Sequence, residues 1–173
     1  MALTRADLEK DLLREAFRRA HPGIPVLSDA DQEASLRRVL EEHPAGADVW
    51  IFGYGSLVWN PLVHHEERRV ARLHGFHRSF CLWSHVNRGS MQKPGLVLGL
   101  DTGGSCRGVA FRVAHDKVPA ELRLLWRREM VLGVLDDSSS EHVPPHVQVP
   151  AQLGRVPRAL IADTARFPVY EPV

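Results

Sequence analysis

Two short groups of residues in this chain have the types and spacing to do chemistry. The first closes the stretch Val49-Trp50-Ile51-Phe52-Gly53-Tyr54-Gly55-Ser56-Leu57. A continuous apolar run of this kind reads as a strand buried on both faces. Two glycines bracketing a tyrosine weaken a strand, but they suit a place where another group must approach the backbone. A turn there can point several N–H groups into one hollow and hold a carboxylate or a developing oxyanion, with the Ser56 hydroxyl as an added donor. The plainer reading of the same residues is a tight strand-to-loop turn. The second group is Glu129, within a helix expected over Pro119 to Gly133. At 100° per residue, Leu122, Leu125, Trp126, Glu129 and Leu132 share one arc, with Glu129 near its middle. Leu124 and Val131 lie opposite, so the helix is covered on both sides. A carboxyl among Leu and Trp resists ionisation, and a pKa raised toward the working pH is what a general acid/base needs. The structural alternative is a buried glutamate held by Arg72, Arg78 or Arg112.

Other motifs weigh less. Gly53-Tyr54-Gly55 does not become G-x-G-x-x-G, because Val58 occupies the third glycine position, which disfavours dinucleotide binding. Asp101-Thr102-Gly103 copies an aspartic-protease triplet, but that chemistry needs two aspartates and the sequence has no second triplet. Ten histidines invite a metal. His64 and His65 are adjacent, His74 and His77 would face opposite ways on a strand, and no H-E-x-x-H occurs, so no metal site and no cofactor is expected. Ser56 lacks the G-x-S-x-G elbow and reads as a donor rather than a nucleophile.

Composition bounds the class. The 173 residues are 44% hydrophobic and 25% charged with a formal net charge of +1, ordinary for a globular domain and too neutral to attract nucleic acid or anionic membrane. No apolar stretch approaches a membrane span, and the charged N-terminus does not read as a signal peptide. Cys81 and Cys106 fit neither a disulfide framework nor C-x-x-C and read as buried thiols. A cytoplasmic location is expected.

The elements that must position these groups are legible in outline. Thr4 with Asp7 opens a helix read as far as Ala20, stopped by His21-Pro22-Gly23. Ser28 with Asp31 opens a second, running to about His43. Nothing in these two helices looks chemical, and they read as an accessory layer over residues 1–46. Val49 to Ser56 is the buried strand. Arg69 to Leu82 alternates with one phase slip near Gly75, a bulge or bend. His85 to Gly95 reads as a polar loop. Leu96 to Leu100 and Gly108 to Val113 read as two strands joined by a hairpin-like Asp101-Thr102-Gly103-Gly104. Beyond Asp136 the serines and prolines leave at most two short strands, near Val147 to Val149 and Arg158 to Ala162.

Taken together, these residues resemble a known family. Tyr54-Gly55-Ser56-Leu57 followed by Trp59-Asn60-Pro61 is similar to the signature of the ChaC-type γ-glutamylcyclotransferases. The likeness continues through Glu67 to Gly75, Arg78, Phe80 to Leu82, Pro94 to Leu100, Gly103 to Ala110 and Leu125 to Gly133. The resemblance implies an α+β fold: a compact mixed β-barrel with flanking helices, here with two accessory N-terminal helices. It also implies a cytosolic, glutathione-specific lyase that releases 5-oxoproline and Cys-Gly. Carried onto this chain, it makes Tyr54, Gly55, Ser56 and Leu57 the holders of the γ-glutamyl group and Glu129 the acid/base. No metal, nucleotide or covalent intermediate is implied. Residues 47–135 would form the cyclotransferase core. The pattern departs after Gly133: Leu135 stands where the family usually has a tyrosine, and residues 136–173 read as a divergent tail, or a shifted frame, that either completes the barrel or leaves it without a wall. The competing reading is therefore an impaired relative, binding γ-glutamyl compounds or inactive. Substrate preference and oligomeric state are not written in the sequence.

Overall fold

A computed structural model describes residues 3–84, 88–90, 92–131 and 161–162. Its elements run in the order α1 (Arg5–Glu9), α2 (Leu12–Ala20), α3 (Asp29–Glu42), β1 (Val49–Gly53), a 3-10 turn (Ser56–Val58), β2 (Glu67–Ser84), β3 (Gly95–Val113), α4 (Val118–Glu129) and β4 (Ile161–Ala162). The strands form one antiparallel sheet in the order β2-β3-β1-β4. The result is an α+β arrangement with flanking helices. Closure of the sheet into the expected barrel is not seen among the described residues.

β1 is the hinge of the core. All five of its residues are buried, and their alternation feeds two apolar clusters. Val49 and Ile51 pack with Leu36, Leu57, Val63, Val113, Val118, Leu122, Leu125 and Trp126, beneath α3 and α4. Trp50 and Phe52 pack on the other face with Ala71, Leu73, Cys106 and Ala110, with Tyr54, Phe76 and Leu100 against them. A strand buried on both faces has no polar side to show, which is why it appears as an unbroken apolar run.

β2 and β3 make one long hairpin, and here the structure corrects the sequence reading. Asp101 to Gly104 do not connect two strands: β3 runs through them, with Thr102 opposite Phe76 and Ser105 opposite His74. Gly103 and Gly104, both at positive φ, therefore oppose Gly75 alone, also at positive φ. Three glycines accommodate a bulge, the slip expected at Gly75. A second register shift lies between Phe80 and Leu82.

The leading helix is also corrected. Thr4 and Asp7 do form a reciprocal capping box, but the helix stops at Glu9. Asp11 takes a left-handed conformation (φ 53°) and α2 begins after it. Aspartate tolerates that region better than most residues, and its carboxylate receives the Arg14 Nε–H at 2.8 Å. The Ser28 cap and the His43 boundary of α3 agree with the sequence reading. α4 ends at Glu129, before the expected Gly133. Leu132, Gly133, Leu135, Val147 to Val149, Arg158 to Leu160 and the rest of the tail lie outside the described residues, save Ile161 and Ala162, which pair with Ile51 and Trp50. Among the described residues no helix is long and apolar enough to cross a membrane.

The helical layer grips α4 along its length. Arg5 on α1 pairs with Glu121. Arg127 donates to the Leu8 and Glu9 carbonyls at 3.1 and 2.8 Å, satisfying the open end of α1. Gln32 on α3 donates to the Met130 carbonyl at 2.6 Å, and Leu27 N–H to the Val131 carbonyl at 3.2 Å. These contacts fix the C-terminal end of α4, where Glu129 sits.

Candidate active site

The loop after β1 turns at once. Gly53 closes the strand against the turn: a Cβ added there would meet Leu57 Cβ at 3.0 Å and Phe111 Cε2 at 3.4 Å. At Gly55 an added Cβ would meet nothing within 4 Å. One glycine is needed for packing, and the other faces open space. The single turn Ser56–Val58 follows, with Val58 N–H bonded to the Gly55 carbonyl at 3.0 Å. The amides of Gly55, Ser56 and Leu57 lead into this turn, the positions whose N–H groups a helical turn leaves without an internal partner. Leu57 points its side chain into the core at 5% exposure, so only its backbone is available to a ligand. Tyr54 packs against the second apolar cluster. Burial pushes its phenol up to about 12, and the charges of Glu129, Cys81 and Cys106 act in the same direction. Tyr54 thus lies within the field of Glu129.

Glu129 is the last residue of α4. Its side chain keeps 37% exposure, so it is not sunk in a core stripe as the periodicity alone indicates; the helix ends before the stripe continues. Burial nevertheless pushes its pKa up, opposed by Arg128. Both observations describe a carboxyl ringed by protein and open to solvent on one side. Its position at a helix C-terminus, where the peptide dipoles place partial negative charge, works in the same direction.

The cation beside it is none of the three arginines weighed from sequence. Arg112 pairs with Asp48 and Glu67, and Arg78 donates to the Tyr54 carbonyl at 3.4 Å. The partner is Arg128, 8% exposed, with Nε 3.0 Å from Glu129 Oε1. The same guanidinium donates from Nη2 to Ser56 Oγ at 3.0 Å and from Nη1 to the Asn60 carbonyl. Glu129 and the Tyr54–Leu57 loop therefore stand one guanidinium apart. Sequence reasoning picked out the carboxylate and the loop but not the group between them.

The other candidates fall away from this place. Thr102 and Gly103 of the protease-like triplet belong to the strand bulge, and Asp101 accepts a bond from its neighbour's amide. Among the described residues no cluster of three or more His, Cys, Asp or Glu could hold a metal ion. Cys106 is buried and its thiol is pushed up by that burial; Cys81 is partly buried.

A half-open carboxyl of raised pKa, set beside a glycine turn that presents amides and a hydroxyl, defines a class: proteins able to hold a small anionic ligand and move a proton on it. The comparisons with known proteins make this specific. Residues 49–156 match the family of ChaC-like proteins, and the chain belongs to that family. It is 39% identical over 148 residues to a glutathione-specific γ-glutamylcyclotransferase of Escherichia coli (strain K12), covering 84% of this chain and 61% of that one. It is 35% identical over 130 residues to glutathione-specific γ-glutamylcyclotransferase 1 of Rattus norvegicus, covering 66% and 59%. The chain thus spans about six-tenths of the length of these curated relatives. A crystal structure of a yeast γ-glutamyl cyclotransferase specific to glutathione aligns over 48% of each chain with a TM-score of 0.43 at 24% identity, too distant to inform the fold.

Proposed function

We propose that this chain is a γ-glutamylcyclotransferase that cleaves glutathione to 5-oxoproline and Cys-Gly. Its family and the names of its relatives support the reaction. The single structural observation that supports the site is the junction of Glu129, Arg128 and Ser56. In this reading Tyr54, Gly55, Ser56 and Leu57 hold the γ-glutamyl group and Glu129 is the acid/base. The α-amino nitrogen attacks the γ-carbonyl carbon of the same glutamyl unit and closes a five-membered ring. The bond from that carbon to the cysteinyl nitrogen breaks. An ammonium cannot attack, so the ionised Glu129 first accepts its proton, then returns one to the departing nitrogen. The nucleophile is tethered to its target, and orientation of such a pair is worth on the order of 7–11 kcal/mol. Loop amides and the Ser56 hydroxyl supply donors for the glutamyl carboxylate or the oxyanion.

In the same proposal, residues 47–135 hold the machinery, residues 1–46 are a helical layer packed on it, and residues 136–173 complete the domain. The chain works in the cytoplasm on a small molecule, without metal or cofactor and without nucleic acid or membrane partners. Incubation with glutathione and chromatography for 5-oxoproline tests the reaction. Product from wild type and none from Glu129→Gln is expected. Folded wild-type protein that binds glutathione without product makes it an impaired relative instead.

A further inference from the structure

We infer that Arg128 is a positioning residue that joins the two halves of the site, fixing the Ser56 hydroxyl as a donor toward an anionic ligand and holding the Glu129 carboxylate beside the loop. The inference deepens the proposed function and rests on its assignment of Glu129 as the acid/base.

A guanidinium carries five N–H donors and no acceptor. Ser56 Oγ, 3.0 Å from Nη2, can therefore only accept from Arg128. That leaves the hydroxyl hydrogen of Ser56 to be donated elsewhere. Ser56 itself is exposed, and the Cβ position of the adjoining Gly55 opens on empty space. An anion seated there meets a hydroxyl already turned to donate. Nη1 meanwhile holds the Asn60 carbonyl, so both flanks of the Ser56–Val58 turn hang on one side chain of α4. Nε stands 3.0 Å from Glu129 Oε1 as an ion pair. An ammonium on a flexible stem cannot reproduce this planar three-way arrangement.

Arg128 also governs the charge on Glu129. Among the described residues, Arg128 of α4 contacts that carboxyl, and Tyr54 of the loop after β1 lies within its electrostatic reach. Arg78 of β2 donates to the Tyr54 carbonyl, and Cys81 of β2 and Cys106 of β3 act on the Tyr54 phenol. Arg128 is the cation in contact with the carboxylate among the described residues, and it opposes the desolvation that favours the protonated form. Without it, burial and the helix C-terminus act unopposed by this cation. Loss of an adjacent cation raises a carboxyl pKa by roughly 1–3 units. Because the ionised carboxylate must accept the first proton, the acidic limb of kcat moves to higher pH by the same amount.

The experiment compares wild type, Arg128→Gln and Arg128→Lys in two measurements. One is the pH profile of 5-oxoproline formation, with KM and kcat separated. The other is a carbon-13 NMR titration of the Glu129 carboxyl in the ligand-free protein, which needs no activity. Arg128→Gln should raise both the acidic limb and the titration midpoint by roughly 1–3 pH units and raise KM about tenfold through the misoriented hydroxyl. Arg128→Lys keeps a charge but cannot span Ser56 and Glu129 together, so either its KM or its midpoint must change. An unchanged midpoint in Arg128→Gln overturns the inference. If that variant does not fold, Arg128→Lys with both KM and midpoint unchanged overturns it. Should wild type make no 5-oxoproline, the proposed function fails, while the NMR midpoint still decides the role of Arg128.

Discussion

α4 carries two glutamates with opposite fates. Glu121 and Glu129 are eight residues apart, roughly 12 Å along the axis, and each has an arginine at hand. Glu121 is buried and fully partnered: Arg5 donates to both of its oxygens at 2.7 and 2.9 Å, and the His64 amide adds a third bond at 2.9 Å. Burial pushes Glu121 up, but these donors outweigh it and its carboxyl falls below the ordinary range. Among the described residues Glu129 has one ion pair, at 3.0 Å, with an open side and a raised pKa. Closed hydrogen bonding makes a carboxylate a fastener. Incomplete pairing under partial desolvation leaves one able to exchange a proton.

The largest test of that contrast is at Glu129. Glu129→Gln should lower 5-oxoproline formation by at least about 10²-fold, within the 10²–10⁴ range for a removed acid/base. Its melting temperature at pH 7 should hold or rise. The sign follows from linkage: a carboxyl whose folded pKa is raised destabilises the fold once pH climbs through the window above the unfolded value, and glutamine removes that charge. A variant that loses stability as well as activity would place Glu129 with the fasteners.

Glu121→Gln should do the reverse. Breaking a buried ion pair costs roughly 3–5 kcal/mol. Arg5 is 29% exposed, so about 3 kcal/mol is expected, a fall in Tm on the order of 6–12 °C for a chain of this size. The effect must depend on pH. The folded pKa of Glu121 is depressed, so its contribution is present above the unfolded value and disappears as pH falls through the folded one. Melts of wild type and variant should converge on acidification. Curves that stay parallel down to low pH would show that the Arg5 pair contributes little.

How much of this the sequence discloses depends on how local each cause is. β1 was legible because burial on both faces writes itself as an apolar run, and α3 because Ser28 accepts the Asp31 amide three residues on. Glu129 emerged from helical periodicity, though not the helix end that leaves it partly open. Arg128 did not emerge, since Ser56 and Asn60 lie 72 and 68 residues away in the chain. Gly103 and Gly104 imitate a turn locally. Their true role requires Gly75, which only strand pairing brings opposite. Glu121 shows no signal that separates it from a surface residue until Arg5 is folded against it. The break at Asp11 is hidden because its neighbours continue to favour helix.

The two glycines of the loop repeat the contrast on a smaller scale. Gly53 lacks a Cβ because the fold fills that space: Leu57 Cβ stands 3.0 Å from where one would be, and Leu57 C 3.3 Å. Gly53→Ala should therefore cost about 1–3 kcal/mol of stability, the range for overpacking. Its KM, measured well below its own melt, should change little. Gly55 lacks a Cβ where nothing of the protein lies within 4 Å. Gly55→Ala creates no packing conflict, so a change in KM reports what the methyl group keeps out. If the glutamyl group lies against this backbone, KM measured well below the variant's own melt should rise severalfold. An unchanged KM would mean that the ligand avoids the Gly55 backbone. The anion would then have to be held by the Ser56 hydroxyl and side chains alone, which would shift the weight of recognition from the turn to α4.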